Sequence, residues 1–405
     1  MEQLKRFLNK YPKQFWAIII GSLIFTLGGS MFYAYQSIYL QERLNIPLRY
    51  AALLISLRAL SGVVASFFAG SIADRFGRRT LVLASLAGGA VYYVGMKFAD
   101  QVWVMAVLMC FWGMLDLCYP VGVNSMLADI IPGENRLEAF SLLRITYNTG
   151  YAVGPIVGGI LAGISYDILF NWAIVGFAAS FIFMLLTLKE TLDKEKVAAE
   201  KARSKEDGSI MMALKDKPFT ASVVLMGLNY IASSCMFYML SYFASSEHGI
   251  PEAAVSVVFV VNALMCVFLQ LPVIRLVRKM KPLALMIISG LMYAIGIASV
   301  PLFDNVFCYC LCMAVMTIGE LLMTPTMTNL AAKLAPPEAR GRYMSILSLA
   351  QPFGTAVGNA MHGNVYDLIS PAMMWIGAAC GPAVSAVGFT IMQKALGNNE
   401  RFKDL

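Results

Sequence analysis

The sequence predicts an all-α membrane protein with twelve transmembrane helices in two pseudo-symmetric six-helix bundles. Three observations predict this class: a composition that is 59% hydrophobic and only 14% charged, apolar runs that recur along the chain, and an internal repeat. Ordinary soluble proteins carry about 25% charged residues, so that class is excluded. A helix of about 20 apolar residues crosses the ~30 Å hydrocarbon core of a bilayer. The composition therefore indicates a polytopic membrane protein.

Twelve apolar segments are separated by polar or charged turns. We expect helices, because unpaired backbone amides in lipid cost several kcal/mol and a β-barrel would show alternating hydrophobicity. The predicted spans are residues 15–40, 48–72, 80–98, 102–130, 139–163, 168–188, 218–244, 252–274, 283–301, 305–333, 342–365 and 371–393. They predict an N-terminal bundle over 1–188, a cytoplasmic linker of mixed charge over 189–217, and a C-terminal bundle over 218–405.

The Lys and Arg residues indicate how the spans are oriented. If both termini are cytoplasmic, 26 of the 31 lie on the inner side, and only Arg43, Arg49 and Lys97 lie outside. Because cytoplasmic loops carry an excess of Lys and Arg, we expect a multi-pass protein of the cytoplasmic membrane with both termini inside. The net charge of +7 then faces anionic lipid, so the bilayer is the expected partner and nucleic acid is not.

Residues for enzymatic chemistry are scarce. The chain has two histidines, no C-x-x-C spacing among its eight cysteines and no nucleotide-binding glycine loop. Cys308, Cys310 and Cys312 cannot converge on one metal ion, because alternate positions on a helix diverge by about 200°. We therefore expect no enzyme activity, no metal and no cofactor.

An internal repeat relates the two halves with an offset of 204 residues. Ten identities fall in one 27-residue window: Ala128, Pro132, Glu134, Arg136, Ser141, Leu143, Gly150, Ala152, Val153 and Gly154 align with Ala332, Pro336, Glu338, Arg340, Ser345, Leu347, Gly354, Ala356, Val357 and Gly358. A duplicated six-span unit in one orientation is typical of transporters that rock two halves about a central site.

Three motifs point to a family. After span 2 the chain reads Gly70-Ser-Ile-Ala-Asp74-Arg75-Phe-Gly77-Arg78-Arg79, which resembles the signature loop of the major facilitator superfamily, G-x-x-x-D-R-x-G-R-R. Span 5 carries Gly150-Tyr-Ala-Val-Gly154-Pro155-Ile-Val-Gly158-Gly159, which resembles the antiporter motif of that superfamily's drug:proton antiporters. Span 10 carries Gly319-Glu320 and Pro325 and is similar to bacterial multidrug members. The resemblance covers the whole chain and implies a transporter that works by alternating access.

The loop after span 2 has a conformational role by this resemblance. Asp74 would face the positive N-terminal end of span 11, near Arg342, and hold the halves together when the outside is open. Arg78 is expected to pair with Asp129 at the end of span 4, while Gly70 and Gly77 allow close backbone approach. The alternative is that the charged residues of this loop serve only to orient the chain in the membrane.

Two acids lie near mid-membrane, and the repeat aligns them: Asp116 in span 4 and Glu320 in span 10. A charge at the bilayer centre costs at least ~2.5 kcal/mol, so both are candidate proton sites. Arg58 and Arg144 are possible charge partners for Asp116, and a structural ion pair is the alternative reading. Glu320 has no obvious cation at its depth in the second half of the sequence, so we expect it to be the better titrating group. Many drug antiporters carry an Arg in span 4 and an acid in span 1, and this sequence has neither at the matching places.

The resemblance implies a substrate cavity lined by spans 1, 4, 7 and 10. Aromatic, Met and amide side chains there form an adaptable surface for lipophilic ligands. The candidate substrate-binding residues are Tyr33, Gln36, Tyr119, Asn124, Asn229, Tyr230, Tyr238, Met323 and Thr324. The sequence thus predicts a monomeric exporter of amphipathic or cationic small molecules in exchange for protons. An exporter of a lipid, sugar or metabolite, and a non-transporting membrane receptor, are the alternatives.

Overall fold

The computed structural model describes residues 10–192, 210–277, 279–335 and 340–396. Regular structure in these ranges is helical, with no strand. Most of the predicted linker lies outside them. The helices are α1 Lys13–Tyr33, α2 Gln36–Leu44, α3 Leu48–Phe76, α4 Arg78–Phe98, α5 Val102–Ile130, α6 Gly133–Ile164, α7 Tyr166–Thr187, α8 Ile210–Lys215, α9 Lys217–Tyr238, α10 Leu240–His248, α11 Glu252–Phe268, α12 Gln270–Val277, α13 Pro282–Ala298, α14 Val306–Leu334, α15 Arg340–Leu368 and α16 Pro371–Leu396.

Several helices start and stop where short-range chemistry dictates. The side chain of Ser165 accepts a hydrogen bond from Asp167 N at 3.1 Å and caps α7. Asn305 caps α14 in the same way through Cys308 N, at 3.0 Å. The α10 helix ends at Gly249, whose φ of 63° is a left-handed conformation that glycine adopts without strain.

Within the described ranges, nine helices are long and apolar enough to cross a membrane. The pair α11 and α12 is bent by 55° and, taken as one span, makes ten. Helices α6 and α15 are as long, with 32 and 29 residues, but they hold more polar residues and fall outside this criterion. The membrane-protein class and the all-helical fold are confirmed, while the count of twelve spans stays a prediction.

The chain divides into two compact units. Unit 1 contains the described residues of 10–33 and 60–192, and unit 2 contains 34–59 and the described residues from 210 onward. Segment 34–59 therefore belongs with the second half of the sequence. Its own contacts agree: Ser37 Oγ donates to the Tyr238 carbonyl at 2.8 Å, and Arg49 N donates to Asp367 Oδ2 at 2.7 Å.

Unit 1 is built around an aromatic core contributed by α1, α4, α5 and α7. Phe25 stacks on Tyr119 with ring centroids 3.7 Å apart, and Tyr92 stacks on Trp112 at 5.5 Å. Phe177 meets both Phe25 and Trp112 edge-on. All five rings are buried, so this core fixes the positions of the helices that carry the first-half motifs.

Close helix packing recurs at repeat-related glycines. A Cβ at Gly150 on α6 would lie 2.7 Å from Thr26 Cγ2 on α1, and one at Gly354 on α15 would lie 2.6 Å from Tyr230 Cβ on α9. Small residues permit this backbone approach in membrane helices. The pair α1 and α6 in unit 1 and the pair α9 and α15 in unit 2 thus share one packing scheme.

Candidate functional site

Glu320 lies midway along α14 and is half-buried. Its Oε2 accepts a hydrogen bond from Asn262 Nδ2 on α11 at 2.9 Å. The same amide nitrogen donates to Thr317 Oγ1 at 2.9 Å, so both donors of the amide are used. A neutral amide therefore orients the carboxyl group without neutralising its charge.

Two tyrosines from further helices lie within electrostatic range of this acid. They are Tyr230 of α9, which also lies near Thr324, and Tyr293 of α13. Sequence reasoning placed Glu320, Tyr230 and Thr324 among the functional residues, and the structure brings these three together in unit 2. It missed Asn262, because an isolated amide in an apolar run has no recognisable spacing relative to an acid on another helix.

Two other predicted substrate residues lie in the interior of unit 2. Asn229 is fully buried, and its Nδ2 contacts Met323 Sδ at 3.5 Å and Ser385 Oγ at 3.3 Å. Its Oδ1 is buried without a hydrogen-bond partner among the described residues. Tyr238 is half-buried at the end of α9.

The predicted residues of the first half lie on several helices and differ in exposure. Asp116 on α5 is half-buried, whereas Arg144 on α6 and Asn124 on α5 are exposed. Tyr119 is fully buried and shares a hydrogen bond with Ser22 at 3.1 Å. The remaining members are the half-buried Tyr33, whose ring meets Tyr151 edge-on at 6.3 Å, and the buried Gln36, whose Oε1 accepts from Arg58 Nη1 at 3.4 Å.

The loop between α3 and α4 forms a network inside unit 1. Arg78 makes the ion pair with Asp129 that the sequence predicts, and its Nη1 also donates to the Ser125 carbonyl at 3.2 Å. Arg79 Nη2 donates to the Leu185 carbonyl at 2.7 Å. These contacts tie the start of α4 to the ends of α5 and α7. Arg75 is exposed, with its guanidinium 5.3 Å from the Phe76 ring centroid.

Part of the predicted loop motif lies beyond what the structure describes. The side-chain environments of Gly70, Asp74 and Arg342 are outside the described residues. The predicted contact between Asp74 and the start of span 11 therefore remains a prediction.

Glu190 is a member of this network that sequence reasoning assigned to the linker. Its two carboxylate oxygens accept hydrogen bonds from the backbone N–H groups of Arg78 and Arg79, each at 3.1 Å. The N-terminal end of a helix favours a negative charge, so Glu190 stabilises the start of α4. The next residue, Thr191, donates to Asp129 Oδ2 at 2.8 Å.

Gly77 is required at this loop for two reasons. Its φ of 101° lies in a region that L side chains rarely adopt. A Cβ there would also collide with the Glu190 carboxylate, whose Cδ would lie 3.0 Å away. A glycine next to a helix start leaves room for a group that binds the first N–H groups of the helix, and here that group is the Glu190 carboxylate.

The antiporter-motif glycines on α6 pack against α1. Ser30 Oγ donates to the Gly150 carbonyl at 2.9 Å, and a Cβ at Gly154 would lie 3.2 Å from the Leu27 carbonyl oxygen. At Gly158 a Cβ would lie 2.9 Å from Met31 Cα. Pro155 and Gly159 are buried on the same helix. The described contacts of this motif are packing contacts.

An exposed pair joins the residues before α1 to the start of α6. Lys10 Nζ hydrogen-bonds to Glu138. This hydrogen bond lowers the pKa of the Glu138 carboxyl below its ordinary value of 4.5 and raises the pKa of Lys10. The pair is solvated, so its contribution to stability is small.

Comparison with known proteins gives a family match over most of the chain. The model of the Major Facilitator Superfamily matches residues 18–358, with a second match over 223–402. The multidrug resistance protein MdtH of Yersinia enterocolitica is 24% identical over 377 residues, covering 91% of this chain and 90% of that protein. A Na(+), Li(+), K(+)/H(+) antiporter of Planococcus maritimus is 24% identical over 369 residues, covering 84% and 86%.

A solved structure has the same fold. The crystal structure of a POT family transporter in complex with a thioalcohol conjugated peptide superposes with a TM-score of 0.80. The match covers 96% of this chain and 99% of that chain at 14% sequence identity. At that identity the likeness concerns the fold alone.

Proposed function

Because the chain belongs to the major facilitator superfamily, whose members are multi-pass membrane transporters of small molecules, we propose that it exports amphipathic or cationic small molecules in exchange for protons. The protein acts as a monomer in the cytoplasmic membrane, with both termini cytoplasmic, and exposes its site alternately to each side. The multidrug relative MdtH supports this class of substrate.

The observation that carries the proposal is the environment of Glu320. A charge at the bilayer centre costs at least ~2.5 kcal/mol, and Asn262, which donates a hydrogen bond to the carboxyl group, is neutral. A proton or a cationic ligand can each neutralise it. Because one carboxylate cannot fully bind a proton and a cationic ligand at the same time, proton and substrate compete for Glu320. This competition couples export of the substrate to entry of the proton.

The residues near Glu320 suit a lipophilic ligand. Tyr230 and Met323 supply aromatic and thioether surface, and Thr324 supplies a hydroxyl. Such surfaces adapt to ligands of different shape, in contrast to the many fixed polar groups that a sugar requires. Tyr33, Gln36, Tyr119, Asn124, Asn229 and Tyr238 complete the proposed substrate set. Asp116, aligned with Glu320 by the repeat, is the proposed second proton site.

The loop network of unit 1 serves a conformational role in this proposal. Arg78, Asp129 and Glu190 hold the ends of α4, α5 and α7 as one body. A rigid body of this kind can turn as a whole when access alternates. The packed glycines of α6 against α1 support the same rigidity.

The decisive experiment measures export in proteoliposomes under an imposed pH gradient. We expect Glu320→Gln to abolish pH-driven uphill export of lipophilic cationic dyes while some downhill exchange remains, because the amide imitates the neutral acid. Glu42→Gln, which changes an exposed acid on α2, is the matched control and should transport like the wild type.

Asp116→Asn separates the two candidate acids. If this change removes coupling and Glu320→Gln leaves pH-driven export intact, the coupling acid lies on α5 and the assignment to Glu320 is wrong. If the wild type exports none of the lipophilic cationic dyes, the proposed substrate class fails.

Exchange of an alkali cation for protons is a second candidate function. The antiporter of Planococcus maritimus favours it, and the Glu320 carboxylate and the Thr317 hydroxyl, which both accept from Asn262 Nδ2, are oxygen groups of the kind that bind alkali cations. Replacing the dye by Na⁺ or K⁺ in the same proteoliposomes distinguishes the two functions.

A further inference from the structure

The repeat is broken at two buried positions of α15. The offset of 204 residues aligns Pro155 with Asn359 and Gly158 with His362. In unit 1, Gly158 lies against the backbone of Met31, with no room for a side chain. In unit 2, Asn359 is 0% exposed and His362 is 3% exposed. Two positions that serve packing in one half therefore carry hydrogen-bonding side chains in the other.

Asn359 has hydrogen-bonding capacity that the described structure does not use. Neither its Nδ2 nor its Oδ1 has a hydrogen-bond partner among the described residues, and both atoms are buried. Buried amide groups are almost always paired, because an unpaired one loses its hydration without compensation. This side chain is therefore poorly explained by packing in the conformation described.

The hydrogen bonds around His362 favour one tautomer. Ser234 Oγ donates to the Ile231 carbonyl at 2.8 Å, so its hydroxyl hydrogen is already used. His362 Nδ1, which lies 3.2 Å from that oxygen, is then the donor to it. In the neutral ring Nε2 carries no hydrogen and is an acceptor, and Ser234 supplies the only hydrogen bond of this side chain in the described part of the chain.

The two side chains lie on one face of α15, because positions three apart are neighbours on a helix. One residue further, a Cβ at Gly363 would lie 3.1 Å from Arg49 Cα, so this face meets the start of α3. Between them, Asn359 and His362 offer two acceptors, Oδ1 and Nε2, that no described residue occupies. Two neutral acceptors in an apolar interior suit an N–H donor that carries a positive charge.

We propose that Asn359 and His362 form a ligand subsite for the ammonium N–H group of a cationic amphiphile. The subsite becomes accessible when access alternates, and it gives primary and secondary amines an advantage over quaternary ones. This assignment deepens the proposed function, on which it rests for the charge of the ligand. It concerns binding and is independent of which acid couples protons.

The test compares two ligands of equal charge and similar apolar surface, naphthylmethylammonium and its N-trimethylated analogue. Only the first has N–H donors. Binding to the full-length protein in lipid nanodiscs is measured by calorimetry at about pH 8, where histidine is ordinarily neutral. We expect His362→Phe and Asn359→Leu each to weaken the primary amine roughly tenfold and to change the quaternary amine less than about twofold. His248→Phe, at the exposed histidine of α10, should change neither.

Three results would overturn the proposal. Equal weakening of both ligands by His362→Phe would assign the residue to packing, and no change by either variant would remove it from the site. A wild-type protein that does not prefer the primary amine would also contradict it. If Asn359→Leu does not fold, His362→Phe decides alone. A failure of proton coupling in the Glu320→Gln experiment would leave these binding results unaffected, so the two proposals fail separately.

Discussion

The helix pair α1–α6 in unit 1 and the pair α9–α15 in unit 2 share a packing scheme but differ in chemistry. Leu27 and Ser30 face Gly154, and their repeat equivalents Ile231 and Ser234 face Gly358. One turn further along, unit 1 continues with Gly158 against the backbone of Met31, whereas unit 2 inserts the imidazole of His362. At this level of unit 2, His362 Nδ1 lies 3.2 Å from Ser234 Oγ on α9.

The two units also differ in the groups around these helix pairs. Unit 1 has a stacked aromatic core and the loop network around Arg78 and Glu190. Unit 2 has the buried Asn359 and His362 on α15 and the half-buried Glu320 on α14. The aligned pairs Arg58 with Asn262 and Asp116 with Glu320 repeat the pattern in sequence: a cation stands in the first half where a neutral amide stands in the second.

Exchanging the residues at the aligned positions 158 and 362 should produce the largest effect on the free energy of unfolding. Gly158→His places a side chain where a Cβ would already lie 2.9 Å from Met31 Cα. We expect a loss of about 3 kcal/mol or more in the free energy of unfolding, because the backbone cannot yield as a flexible side chain does. The reverse change, His362→Gly, should lose about 2–5 kcal/mol for a different reason, because it leaves a cavity around a buried position. Thermal unfolding of the purified proteins measures both, and a Gly158→His protein as stable as the wild type would contradict the comparison.

Introducing the cation of the first half into the second should remove coupling without unfolding the protein. Asn262→Arg places a permanent charge beside Glu320, which then stays ionised, so pH-driven export should fall roughly tenfold or more. Asn262→Leu is the control, because it removes the amide without adding charge and should retain coupling with a changed pH profile. Export in proteoliposomes across a series of pH values checks this, and intact coupling in Asn262→Arg would remove Glu320 from the proton route.

Disturbing the loop network should have an intermediate effect confined to unit 1. Gly77→Ala combines an unfavourable φ with a collision at Glu190 and should destabilise the protein by roughly 1–3 kcal/mol. Gly176→Ala on α7 is the matched control, because a Cβ there meets nothing within 4 Å. Unfolding temperatures of the two variants provide the measurement, and equal stability would show that Glu190 does not constrain this loop.

The smallest effect is expected at the exposed pair of Lys10 and Glu138. Because the folded protein lowers the pKa of Glu138, the pair contributes fully above the ordinary value of 4.5 and loses its contribution as pH falls below it. Glu138→Gln should therefore lower the unfolding temperature slightly at neutral pH, and the difference should shrink in acid and in high salt. A difference that grows in acid would reverse the sign assigned here.

The sequence predicts much of the fold because each membrane span is one continuous apolar run of residues. It also predicts the pair of Arg78 and Asp129, since both residues lie at neighbouring ends of adjacent helices. Glu190 escaped prediction because its polar neighbourhood resembles a solvated linker. Its partners are backbone N–H groups, whose position the sequence marks only through Gly77.

Contacts between distant helices were the least predictable part of the site. Asn262 reaches Glu320 across 58 positions, and the crossing of α11 and α14 decides that contact. The internal repeat holds the signal that could have found it. Aligning the halves at 204 residues flags Asn262 opposite Arg58, and it likewise flags Asn359 and His362 as departures from Pro155 and Gly158. Where a duplicated sequence changes a buried apolar residue into a polar one, function is a better first hypothesis than packing.

Helix α3 runs without interruption from Leu48 to Phe76, yet its residues 48–59 belong to unit 2 and the remainder to unit 1. A hydrogen-bonded helix resists stretching, so it behaves as a stiff rod anchored in two bodies. In unit 2 this helix packs Ala52 against Gly363. In the proposed alternating access, a movement that separates the two units would therefore have to withdraw this end of the helix from Gly363 or bend the helix.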